Sequence, residues 1–103
     1  FKSINKIYRN KNLGAFESIR SAEIQIISDY GKIISMEDDI VTSKNYLDFI
    51  NSGLDHFEDD DGVITVSGYC HPINIKNGCD SWLNMWHCPW GYGTWKKKYL
   101  DLN

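Results

Sequence analysis

The feature that most limits what this chain can become is a short apolar run set between two segments of helical period. Lys32-Ile33-Ile34-Ser35-Met36 has the length and composition of a strand. Before it, residues 15–29 place Phe16, Ile19, Ala22 and Ile26 at helical spacing on one face, and Glu17, Arg20 and Glu23 on another. Tyr30-Gly31 stops that helix, since glycine just past the last turn is a common C-terminal signal. After the run, Ser43 can cap a second helix with Tyr46, Leu47, Ile50, Leu54 and Phe57 on its buried side. Val63–Ser67 is a second strand, ended by Gly68. Apolar strands alternating with amphipathic helices predict an α/β fold, a mostly parallel sheet with flanking helices. Two strands do not complete such a sheet. The pattern is that of part of a larger domain whose opening strand–helix units lie upstream.

The remaining segments carry less signal. Residues 1–11 are basic and polar, with Phe1, Ile4 and Ile7 in an arrangement that suits a strand or a frayed end. Asn12-Leu13-Gly14 and Asp59-Asp60-Asp61-Gly62 read as turns. Residues 69–81 read as loop. Residues 82–95 hold all four tryptophans, Trp82, Trp86, Trp90 and Trp95, and the spacing of the first two suits a core. A final helix is predicted from about Thr94 through Lys96-Lys97-Lys98-Tyr99-Leu100, its lysines forming a solvated face.

Composition narrows the functional classes. At 103 residues the chain is one domain at most, and 42% hydrophobic residues with 24% charged exclude a disordered chain. A net charge of −3 argues against a nucleic-acid partner, whose phosphates demand basic surface. Apolar runs are too short to span a bilayer. The chain starts at Phe1 without a secretory leader pattern, which suggests a piece processed or cut from something longer. Cys70, Cys79 and Cys88 are odd in number and contain no C-x-x-C pair, so a reducing compartment is the default expectation.

Glu37-Asp38-Asp39 is the strongest chemical candidate. Adjacent carboxylates repel one another and need solvent or a cation. The run at 59–61 is the internal comparison, a plain acidic turn between a helix and a strand. Glu37-Asp38-Asp39 differs because it follows an apolar strand directly and has Ile40-Val41 behind it. Ligands of open α/β sheets bind at the carboxyl ends of strands. Strand alternation would place Glu37 and Asp39 on one side and Asp38 on the other. Hard oxygen ligands at such a place suit Mg²⁺ or Mn²⁺ shared with substrate phosphates.

With these residues in view, the chain resembles a known family. Ile33-Ile34-Ser35-Met36-Glu37-Asp38-Asp39-Ile40 resembles the acidic metal motif of nucleotide-sugar glycosyltransferases with the A-type (GT-A) fold. The Glu-Asp-Asp form is similar to that of N-acetylglucosaminyltransferase I-like enzymes and related bacterial sugar transferases. Arg9 with Asn12-Leu13-Gly14 looks like the segment before the motif, and Ser43–Phe57 resembles the helix after it. Val63–Tyr69 resembles the next strand with its Ser-Gly turn. Pro89-Trp90-Gly91-Tyr92-Gly93-Thr94-Trp95 resembles the Pro-Trp-Gly-x-x-x-Trp stretch at the acceptor side of the cleft.

The resemblance implies a partial Rossmann-like GT-A domain, with residues 1–103 as the central part of one catalytic domain. The upstream nucleotide-binding units and the downstream acceptor part would lie outside it. It implies transfer of a sugar, with inversion, from a nucleotide-sugar donor (a UDP-sugar first) to a glycan or lipid-linked acceptor. Asp39 would hold the divalent cation, Mn²⁺ or Mg²⁺, that bridges the diphosphate. Asp38 would lie near the ribose and Glu37 near the donor sugar. Trp90, Gly91 and Tyr92 would wall the donor–acceptor cleft, with Trp95 supporting it. The catalytic base is left unassigned, because only Asp101 remains in the region where the similar enzymes carry it. A bacterial cytoplasm, near the inner membrane face, is the setting this implies. A missing upstream half would leave an open sheet edge, and self-association through it is expected.

Two other readings stay open. Cys70, His71, Cys79, His87 and Cys88 hold enough soft ligands for a zinc site in a small interaction module, although their spacing matches no common finger. A non-catalytic remnant of a transferase is the second.

Overall fold

The computed structural model describes residues 2–73 and 78–101. Helix α1 spans Ala15–Tyr30, strand β1 Lys32–Ser35, helix α2 Tyr46–His56, strand β2 Thr65–Ser67, strand β3 Tyr92–Trp95 and helix α3 Lys96–Asp101. Nothing is assigned to helix or strand between residues 2 and 14, where the sequence allowed a strand.

The three strands form one sheet in the order β1-β3-β2. Both outer strands pair antiparallel with β3, so both ladders of the sheet among the described residues are antiparallel. This overturns the expected mostly parallel sheet, and with it the Rossmann-like GT-A fold. The physical reason is β3. Tyr-Gly-Thr-Trp reads as turn and loop, because glycine weakens a strand. It nevertheless slots between β1 and β2, pairing Ile34 and Val66 with Gly93, and Ser35 and Ser67 with Tyr92. β1 and β2 therefore share a direction without touching.

Successive strand residues face opposite sides, and the helices use both. On one side, α2 packs over Gly93, where an added Cβ would lie 2.6 Å from Ile50 Cγ2. Tyr46, Ile50, Leu54, Val63, Val66 and Trp95 form the core there, with Ile34 and Phe57 against it. Burying side chains of this size contributes roughly 1.5–3 kcal/mol each. The Trp95 indole N–H donates to the Leu54 carbonyl at 3.0 Å, so this tryptophan is a core residue and not a support of the cleft. On the other side, α1 reaches Ser35 and Tyr92 through Glu23.

Several element-level expectations are corrected. Ile27 is the buried residue of α1, whereas Phe16, Ile19 and Ile26 are exposed. In α2 Tyr46, Ile50 and Leu54 are buried as expected, but Leu47 is exposed. The cap of α2 is Asn45, and the Ser43 hydroxyl donates to its side chain at 2.9 Å. Trp82 and Trp86 are exposed and do not form a core. Lys98 is buried, not solvated. Its ammonium donates to the Phe57 and Asp60 carbonyls at 2.7 and 2.8 Å and lies 3.7 Å from the centre of the Trp95 ring.

Candidate functional cleft

The pairing register gathers the candidate residues at one end of the sheet. Ser35, Tyr92 and Ser67 sit side by side there. The acidic run leaves the end of β1, Gly68-Tyr69 leave β2, and Pro89-Trp90-Gly91 lead into β3. A cleft of about 330 Å³ opens at this end, lined by Ile19, Glu23, Ser35, Met36, Glu37, Asp38, Pro89 and Tyr92. Its volume sits at the small end of ligand clefts, about 300–1,000 Å³.

The structure thus brings Glu37 and Asp38 to the same cleft as Tyr92, more than fifty positions later in the chain. Asp39 is not among the lining residues. The strand stops at Ser35 and the chain turns at once, with the Ile40 amide donating to the Glu37 carbonyl at 3.4 Å. Strand alternation therefore does not govern the triplet, and Glu37 and Asp38 share the cleft. All three carboxylates are solvent-exposed.

Trp90 and Gly91 adjoin the cleft without lining it. Trp90 is half exposed and its ring lies 5.0 Å from that of Tyr69. Gly91 is buried with φ 130°, and a Cβ there would lie 2.7 Å from the Tyr46 hydroxyl oxygen. Its lack of a side chain serves packing against α2.

The residue that sequence reasoning missed is Glu23. Its Oε1 accepts hydrogen bonds from the Ser35 hydroxyl and, at 3.0 Å, from the Tyr92 phenol. Its Oε2 accepts from the Tyr99 phenol at 2.8 Å. Burial pushes the Tyr92 phenol well above the ordinary tyrosine range, and the nearby Glu23 charge adds to the shift. Burial and the bond to Glu23 push Tyr99 up to about 12. The His87 ring stands edge-on to Tyr92 at 4.6 Å, and burial lowers its pKa against the opposing charge of Glu23. Helical period had put Glu23 with Glu17 and Arg20 on a polar face. The only available signal was its position one turn before Ile27.

Among the described residues no group of three or more His, Cys, Asp or Glu is placed to hold a metal. Cys70, Cys79 and Cys88 form no disulfide there. Among the described residues no helix is long and apolar enough to cross a membrane. No protein-family model, curated protein or solved structure matches the chain.

Proposed function

We propose that this chain carries the donor site of a divalent-metal-dependent glycosyltransferase, one that moves a sugar from a UDP-sugar to a glycan or lipid-linked acceptor. The observation that supports the reading is the cleft itself. It joins Glu37 and Asp38 of the acidic run to Pro89 and Tyr92 of the tryptophan–glycine run. These belong to the two chemically loaded segments among those that resemble sugar transferases. An ion-free cleft whose charged lining residues are Glu23, Glu37 and Asp38 would repel a diphosphate, so the reading requires a cation.

The donor set fits Mn²⁺ or Mg²⁺. Such ions commonly take one or two carboxylates and complete their shell with water and substrate phosphates, so a cage of protein ligands is not needed. Asp39, exposed and next in sequence to the cleft-lining Asp38, is the proposed ligand, with Asp38 beside it in the chain. When bound, the ion supplies Lewis-acid stabilisation of charge on the leaving diphosphate. The exposed Trp90, which adjoins the cleft, presents aromatic surface on which a sugar C–H face can pack. The proposed setting is a bacterial cytoplasm at the inner membrane face. Self-association through the outer edge of β1 or β2 belongs to the same proposal.

Calorimetric titration of UDP into the chain, with and without Mn²⁺, tests this. Mn²⁺-dependent heat that disappears in Asp39→Ala is the expected result. Binding that ignores both Mn²⁺ and Asp39→Ala overturns the metal assignment. Absence of binding with Mn²⁺ present leaves a non-catalytic remnant as the better description.

A further inference from the structure

We infer that Glu23 is the positioning residue of the cleft, a carboxylate whose hydrogen bonds hold its two walls at a set separation. One wall is the end of β1, where Ser35 leads into Met36, Glu37 and Asp38. The other is the entry to β3, where Pro89 leads to Tyr92. Glu23 projects from α1 between them, and its Oε1 accepts from both walls, from Ser35 on one and Tyr92 on the other. Its Oε2 is held by Tyr99 of α3, so the carboxylate cannot swing away without breaking a bond to a third element.

The hydrogen-bond geometry fits a holding role. A carboxylate has about four lone-pair positions. Three hydroxyl donors from three different elements engage Glu23, so most of its acceptor positions are committed to contacts within the protein. The β1 wall carries two more carboxylates, Glu37 and Asp38, which repel each other and solvate readily. A hydrogen bond from the uncharged Ser35 hydroxyl to Glu23 keeps the base of that wall against the sheet. As a role in substrate binding, the inference rests on the cleft being the donor site proposed above; the tether itself does not.

The test uses Glu23→Ala, Glu23→Gln, Ser35→Ala and Tyr92→Phe, each read in two ways. Hydrogen exchange is the ligand-free reading. Glu23→Ala should speed exchange in both 35–38 and 89–92 while residues 50–54 stay protected. Ser35→Ala should loosen 35–38 alone, and Tyr92→Phe 89–92 alone. These single-wall variants decide the matter if Glu23→Ala fails to fold. Ultraviolet titration of the phenols, with Tyr92→Phe identifying the Tyr92 step, should show Tyr92 ionising at lower pH in Glu23→Gln. Affinity for UDP with Mn²⁺ is the second reading. Glu23→Ala should lose about tenfold or more in affinity, while Glu23→Gln, which still offers an oxygen to Ser35 and Tyr92, stays within about threefold of the parent. Unchanged exchange at both walls, or loosening spread evenly through the chain, overturns the inference. If the parent chain binds no UDP, the transferase reading falls, and exchange with the phenol titration still decides the role of Glu23.

Discussion

The Tyr46 hydroxyl is a buried side-chain polar atom with no hydrogen-bond partner among the described residues. Its ring fills the space left by Gly68, and its hydroxyl oxygen lies against Gly91 without a hydrogen-bond partner. A buried polar group left unpaired costs about 1–3 kcal/mol. Tyr46→Phe is therefore expected to match or exceed the parent in stability, by up to about 1 kcal/mol, in urea denaturation. A clear loss would show that the oxygen has a partner in solution. Lys98 is the contrast, equally buried but with carbonyls of Phe57 and Asp60 and the Trp95 ring around its ammonium. Neither fate was legible in the sequence. Tyrosine at an apolar helical position reads as core whether or not its oxygen is satisfied, and a lysine triplet reads as solvated. Asp60 was legible, because Asp-Gly turns close locally: its side chain accepts from the Gly62 amide at 2.9 Å.

Elements were legible where the signal is local. The C-terminal stop of α1 is such a case. Gly31 has φ 81°, and its amide donates to the Ile27 carbonyl at 2.9 Å. Its own carbonyl accepts from the Lys96 amide at 2.8 Å, tying the helix end to the start of α3. A left-handed backbone costs an ordinary L-residue about 1–2 kcal/mol. Gly31→Ala is expected to lower stability by about that amount, a fall in thermal midpoint of several degrees for a chain this size. An unchanged midpoint would mean the helix ends another way. The face of α1 was not legible, because Ile19, Ile24, Ile26 and Ile27 surround the helix with apolar side chains. Which side meets the sheet is decided by Ser35, Tyr92 and Tyr99, whose hydroxyls let Glu23 turn inward. Strand β3 was missed for a related reason. Gly93 is a poor strand former alone, but Ile50 and Leu54 leave no room for a side chain there.

At the scale of the whole molecule, the cleft end of the sheet depends on two neutral phenols sharing one carboxylate. Tyr92 is raised above the ordinary range and Tyr99 to about 12. In the unfolded chain both ionise near pH 10. Between that pH and the folded values the native state holds more protons than the unfolded state, so stability falls as pH rises. The contribution is fully present below about pH 10 and is lost on passing upward through the folded values. Urea midpoints measured from pH 9 to 12 are expected to decline more steeply for the parent than for Tyr92→Phe. Parallel declines would place the alkaline weakness elsewhere. By itself the sequence determined what rests on near neighbours: two strands, two long helices and the glycine stop of the first, the acidic turn at 59–62, and the two chemically loaded segments. Only the tertiary structure decided that β3 enters between β1 and β2 and makes the sheet antiparallel. It alone turned Glu23 inward and brought Glu37 and Asp38 to the same cleft as Tyr92. The physical reason is that strand pairing and carboxylate burial depend on partners far along the chain, whereas helical period and turn chemistry are set within a few residues.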